Sequence, residues 1–173
     1  YRAGNGLGEV DNLWFATART AEVFGMTLPI CPPEEIIWQK AYIMERERFD
    51  GADIQHILLK AGPEIDWDRL IHRFGENYRV LLSHLILFRF IYPNEGGSVP
   101  ESVVQYLLHR ALEESPAADP QNLCRGPLIS RAQYLTDVER WGYLDARTLP
   151  SCKMTPEEIR NWTMAIDREE SSH

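Results

Sequence analysis

Apolar positions set out a succession of helices along this chain. From Asn12 to Phe24, Leu13, Phe15, Ala16, Ala18, Ala21, Val23 and Phe24 suit a short helix, with Asp11 or Asn12 as its cap and Gly25 as its stop. Met26 to Cys31 is short and β-leaning and is closed by Pro32 and Pro33, which predicts an edge strand. Pro33 and Glu34 then open a helix whose Ile36, Ile37, Lys40, Ala41, Ile43 and Met44 keep helical spacing to about Phe49, with Glu34 and Glu35 well placed in its first turn. Asp50 caps a helix over Ala52 to Ala61. Asp66 caps another that runs to Phe74, with Trp67, Leu70 and Ile71 facing inward and Gly75 ending it.

Glu76 to Tyr92 is the most apolar helix, bounded by Pro93 and the loop Asn94 to Gly97. Pro100 begins a helix whose Val103, Val104, Tyr106, Leu107, Leu108, Ala111 and Leu112 predict a broad inward stripe. Ser115 to Gln121 is a Pro/Ala/Asp linker, and a further helix is expected from about Pro127 to Trp141. Thr155, Pro156, Glu157 and Glu158 combine an N-cap, a proline at the first helical position and a glutamate at the third, so they start a last helix. Residues 1 to 12 read as a strand end plus a glycine loop, and further sequence is expected before Tyr1. The chain therefore reads as mainly α, a helical array or bundle preceded by a remnant of a small sheet. Its expected divisions are 1–31, 32–114 and a C-terminal helical extension, 115–173.

Charge narrows the function. A net charge of −8 over 173 residues, with a pI near 5.1, argues against a duplex-binding module, whose affinity rests on Lys and Arg neutralising phosphates. Cys31, Cys124 and Cys152 are far apart with no Cys-x-x-Cys spacing, so neither a zinc knuckle nor a disulfide framework is indicated and a reducing, cytoplasmic setting is expected. The longest apolar run, 80–92, is interrupted by Ser83, His84 and Arg89 and is too short to span a bilayer. His56, His72, His84 and His109 match no metal-binding spacing and read as packing or surface residues. Most of the five dispersed tryptophans read as core anchors. Arg125, Arg131 and Arg147, with Tyr134 and Tyr143, form either a basic-aromatic surface or salt bridges to Asp137, Glu139 and Asp145.

The most unusual stretch is Glu34 to His56. Lys40, Arg46 and Arg48 alternate with Glu45 and Glu47, and Asp50 and Asp53 follow at a helix junction. On one helix, Lys40, Met44 and Glu47 share a stripe. Charge alternation of this kind also describes a solvated helix laced with salt bridges and ended by two caps.

Together, Ile37-Trp38-Gln39-Lys40-Ala41 and Met44-Glu45-Arg46-Glu47-Arg48-Phe49-Asp50-Gly51-Ala52-Asp53-Ile54 resemble bacterial nucleotidyltransferase-like proteins of the DNA polymerase beta-type superfamily, relatives of the abortive-infection and antitoxin-partner nucleotidyltransferases. The likeness continues through Asp66-Trp67, Arg73-Phe74-Gly75, Arg79 to Leu85, Phe88, Tyr92-Pro93, Cys124-Arg125-Gly126, Ser130-Arg131, Gln133-Tyr134 and Trp141-Gly142-Tyr143, and so covers most of residues 3 to 147. It implies a small mixed sheet followed by a helical domain, with transfer of a nucleoside monophosphate from an NTP in the presence of Mg²⁺. It implies Lys40 as the phosphate-binding lysine with Arg46 and Arg48 as neighbouring cations, Asp50 and Asp53 as acids that orient those cations, and Asp11 just after the last sheet strand.

No Gly-Ser turn followed by an Asp-x-Asp strand occurs in the sequence, so no residue here is assigned to metal, and the chain alone is expected to be inactive. The expected partner is a nucleotide, with a protein partner as a further possibility. The alternative is a non-catalytic helical interaction or adaptor domain in which Lys40 and Arg48 sit in internal salt bridges.

Overall fold

A computed structural model of the chain describes residues 5–7, 11–114, 122–152 and 154–170. The architecture is mainly α, with two small two-stranded sheets among the described residues. Two compact units form: one from residues 11–42 and 50–115, the other from 1–10, 43–49 and 116–173. No helix among the described residues is long and apolar enough to cross a membrane.

The first unit begins with α1 (Leu13–Ala16) and an antiparallel hairpin, β1 (Arg19–Val23) with β2 (Met26–Ile30). The short helix expected over Asn12 to Phe24 is thus corrected to one turn plus a strand. The period-two alternation of Ala21 and Val23 against Thr20 and Glu22 prevails once Phe24 and Gly25 supply a two-residue turn, both at positive φ (51° and 75°). The expected edge strand is the second arm of this hairpin.

Five helices follow in this unit: α2 (Pro33–Lys40), α3 (Gly51–Ala61), α4 (Trp67–Phe74), α5 (Tyr78–Ile91) and α6 (Glu101–Glu113). The core lies on their shared faces. Ile54 and Leu58 of α3 are one turn apart, as are Leu81 and Leu85 of α5, and each is fully buried with Ile37, Leu70, Val104 and Leu107. Each such side chain contributes about 1.5–3 kcal/mol in burial. Tyr42 and Phe74 stack at 5.8 Å.

Gly62 allows close approach of the chain, because a Cβ there would stand 2.1 Å from the Ser98 carbonyl oxygen. The α4 start is as expected, with the Asp66 carboxylate accepting from the Arg69 amide at 3.0 Å. The broad inward stripe expected on α6 is narrower. Val103, Val104 and Leu107 are buried, whereas Tyr106, Leu108 and Leu112 are exposed.

In the second unit the expected helix over Pro127 to Trp141 is replaced by a 3-10 turn at Gly126–Leu128, a run of turns, and the short α7 (Leu135–Glu139). Gly126 and Pro127 favour the tight turn, and the Tyr134 ring packs so closely on Gly126 that a Cβ would meet it at 2.1 Å. Parallel strands β3 (Leu123–Cys124) and β4 (Leu144–Asp145) flank this segment. Leu128, Ala146 and Cys152 form a small core against Leu7, Leu123 and Leu149. The last helix, α8 (Pro156–Glu170), starts as expected: the Thr155 amide donates to Glu158 at 2.7 Å and the Glu158 amide donates to the Thr155 hydroxyl at 3.2 Å. The Ser115–Gln121 linker and most of the glycine loop at 1–12 lie outside the described residues.

Candidate functional site

The segment with the strongest chemistry does not continue as a helix to Phe49. α2 ends at Lys40, Ala41 closes it with a hydrogen bond from its backbone N–H to the Ile37 carbonyl, and residues 43–49 leave the helix as a strap. Lys40, Met44 and Glu47 therefore share no helical stripe. The solvated, salt-bridge-laced helix is corrected with it.

Lys40 sits at the C-terminus of α2, where a positive charge also suits the helix dipole. Its Nζ donates to Asp53 Oδ2 at 2.7 Å and to Asp50 Oδ2 at 2.9 Å, so both acids of the Asp50–Asp53 pair converge on one ammonium. Hydrogen bonds to Asp53 and Asp50 raise the Lys40 pKa further above its ordinary value, and the group stays charged at neutral pH. Asp50 is not a side-chain cap of α3; its carboxylate serves Lys40. The two acids differ in access, with the Asp50 side chain 10% exposed and that of Asp53 57% exposed.

Arg46 and Arg48 lie on the strap and are both exposed. A bridge between Met44 and Phe49 and a 2.9 Å bond from the Glu45 amide to the Arg48 carbonyl fold this stretch into a tight turn. Asp11 is engaged elsewhere, accepting two hydrogen bonds from the Arg73 guanidinium at 2.6 and 2.9 Å. Arg73 in turn contacts the fully buried Glu35, with Nε 3.1 Å from Oε2 and Nη2 3.2 Å from Oε1. Its guanidinium carbon lies 5.9 Å from the Trp38 ring. Glu34, also buried, pairs with Arg69 and accepts the Asp66 amide at 2.7 Å. Glu34 and Glu35 stand in the first turn of α2, as expected, and their buried carboxylates also anchor α4, a role whose local signal is the i,i+4 spacing of Arg69 and Arg73.

Of the arginines singled out further on, Arg147 is buried and paired with Asp145 at 2.6 Å. Arg131 pairs with Glu45, at 3.0 Å. An open cleft of about 570 Å³ between α4 and α6 is lined by Asp68, His72, Tyr106 and Arg110, and by none of the residues the resemblance assigns.

Among the described residues no group of three or more His, Cys, Asp or Glu is arranged to hold a metal ion. The donor set does not fit magnesium either: Asp50 and Asp53 face an ammonium, which would compete directly with a divalent cation for the same oxygens. No family model, curated protein or solved structure matches this chain.

Proposed function

We propose that this chain is the nucleotide-supporting helical part of a nucleotidyltransferase-like protein, with Lys40 as the contact to the triphosphate and Arg46 and Arg48 as further cations. The exposure of Arg46 and Arg48 on a strap anchored at Glu45 supports this reading. The pairing of Lys40 with Asp50 and Asp53 is the arrangement expected of the non-catalytic alternative, and on the nucleotide reading a phosphate must displace one of those carboxylates. Exposed ion pairs are worth at most about 1 kcal/mol, so the Asp53 arm exchanges readily for a phosphate oxygen while the buried Asp50 arm keeps the ammonium aimed. Nucleotidyl transfer also needs metal-holding acids, which these 173 residues do not provide in the expected Gly-Ser and Asp-x-Asp arrangement.

The test is calorimetric binding of Mg·NTP to this chain and to the gene product that carries it, each with and without Lys40→Ala. Binding by the gene product, weakened about tenfold or more by Lys40→Ala, is the expected result for loss of a charge-assisted contact. Absence of NTP binding by the gene product, or binding indifferent to Lys40→Ala, refutes the reading.

A second reading, a non-catalytic helical interaction domain, is favoured by the ion pairs of Lys40 with Asp50 and Asp53 and by the hairpin. Cross-strand pairs place Ala21, Val23, Met26 and Leu28 on one face with Arg19 and Ile30, and Met26, Leu28 and Ile30 are all exposed. An isolated hairpin is marginal in water, so an uncovered apolar face suits a protein contact. On this reading a protein that co-purifies raises the melting temperature of the chain and loses that effect with Leu28→Lys; an unchanged shift in the variant counts against it.

A further inference from the structure

Two stretches that share the family resemblance, Met44–Glu45 and Ser130–Gln133, lie about 85 residues apart yet form one hydrogen-bonded lock within the second unit. The Glu45 carboxylate accepts from Ser130 Oγ at 2.6 Å, from the Arg131 amide at 2.9 Å and from Arg131 Nε at 3.0 Å. Backbone bonds close the same joint: the Met44 amide donates to the Ile129 carbonyl at 3.0 Å, and Gln133 Nε2 donates to the Met44 carbonyl at 3.1 Å. Burial alone would push the Glu45 carboxyl up, but hydrogen bonds from Ser130 and Arg131 outweigh it and hold the pKa below the ordinary value.

The receiving side is ordered in its own right. The amides of Ile129 and Ser130 both bond to the Gly126 carbonyl at 3.0 Å, and Ser130 Oγ also accepts the Gln133 amide at 3.2 Å. Arg131, which donates to Glu45 on one side, lies with its guanidinium carbon 5.1 Å from the Trp162 ring of α8. The strap is thus fixed at Met44 and Glu45, and the three residues that follow, Arg46, Glu47 and Arg48, are exposed.

We propose that Glu45, Ser130, Arg131 and Gln133 are positioning residues that fix the Arg46–Arg48 turn for contact with a polyphosphate, and that α8 steadies this lock through Trp162 on Arg131. The proposal rests on the nucleotide-supporting reading above and adds to it the residues that aim its exposed cations. A long, flexible arginine on an unanchored loop would spend its binding energy on ordering the loop, and an anchor one residue away removes that cost.

Trypsin reads the lock directly, because it cuts after Arg46 and Arg48, while cleavage after Arg79 on α5 reports general opening. The experiment uses the gene product that carries this chain and compares Glu45→Ala, Glu45→Gln and Trp162→Ala with the parent, by cleavage rate and by calorimetric binding of Mg·ATP, Mg·GTP, Mg·CTP and Mg·UTP. Glu45→Ala is expected to speed cleavage at 46 and 48 about tenfold relative to the Arg79 site and to weaken NTP binding by a similar factor, the scale of one or two charge-assisted hydrogen bonds. Glu45→Gln, which keeps the acceptor, is expected to recover part of both, and Trp162→Ala to lie between. Unchanged cleavage in Glu45→Ala overturns the lock whatever the nucleotide result. Faster cleavage with unaltered NTP affinity overturns the positioning role and leaves the nucleotide reading standing. No NTP binding by the parent protein overturns that reading and the positioning role with it.

Discussion

Arg73→Met tests the structure most sharply. The guanidinium is shared by two carboxylates in opposite surroundings: Asp11, whose side chain is 43% exposed, and Glu35, whose side chain is fully buried. Without Arg73, Asp11 returns to water at a cost of at most about 1 kcal/mol, the scale of an exposed pair. Glu35 cannot follow. A buried carboxylate stripped of its partner costs on the order of 3–5 kcal/mol, against a total stability of about 5–15 kcal/mol for an ordinary domain.

The loss has a predictable pH dependence. Burial raises the Glu35 pKa above 4.5 despite Arg73, so in the parent protein this group binds more protons folded than unfolded, and its contribution to stability falls as pH rises from 4.5 through the folded value. Asp11 has the opposite sign: its bonds to Arg73 lower its pKa, so the stability it adds is present above 3.8 and is lost as pH falls through the folded value. Removing Arg73 takes away the influence that holds Glu35 down, so the Glu35 window extends upward. The deficit of Arg73→Met should therefore shrink toward acid. Urea unfolding followed by tryptophan fluorescence at pH 5, 7 and 8 measures it. The companion double variant, Glu35→Gln with Arg73→Met, is expected to be more stable than Arg73→Met alone, because a neutral amide remains where a charge was stranded. A loss below about 1 kcal/mol at pH 7, a loss that does not ease in acid, or a double variant no better than the single would refute the argument.

Two further outcomes follow from single side chains. His84 is buried with Nε2 3.2 Å from the Ala41 carbonyl oxygen, and burial lowers its pKa below 6.5, so stability should fall as pH drops from 6.5 toward the folded value; His84→Gln should flatten that slope in the same urea assay, and an equal slope in both proteins would count against it. Phe24 is 97% exposed at a φ of 51°, so Phe24→Asn should raise stability by about 1 kcal/mol through relief of left-handed strain, and a fall in melting temperature would mean that the ring makes a contact.

How much of this was visible in the sequence depends on the distance over which each element finds its partners. The Asp66 cap and the box formed by Thr155 and Glu158 close within three residues, and both stand where the sequence puts them. The Lys40 site was half visible. The residues it unites were all named, but their meeting depends on α2 stopping at Lys40, and nothing in the local spacing of Ile36 to Met44 announces that stop. The strap leaves the helix because Met44 and Glu45 are claimed by Ile129, Ser130, Arg131 and Gln133, a competition that helical periodicity cannot register. The hairpin was misread for a different reason. Phe15, Ala16 and Ala18 imitate helical spacing just long enough to hide the strict alternation that begins at Arg19, though Gly25 between two alternating runs was a usable signal.

The alternating charges from Lys40 to Asp53 look uniform in sequence, and the fold gives them different surroundings. Lys40, Glu45 and Asp50 have side chains 10–28% exposed and held by hydrogen bonds to defined partners. Arg46, Glu47 and Arg48 are exposed, and so is Asp53, which also accepts the Lys40 ammonium. A stretch that served only solubility would gain nothing from burying every few residues a charge that must then be compensated, since each buried ion carries a desolvation cost of several kcal/mol before its partner offsets it. On the reading proposed above, anchored charges beside exposed ones present the cations of the strap in a fixed direction. Removal of the anchor Glu45 is then a more telling perturbation than removal of Arg46 or Arg48, because it leaves both arginines in place and releases the Ser130 and Arg131 groups that hold the strap.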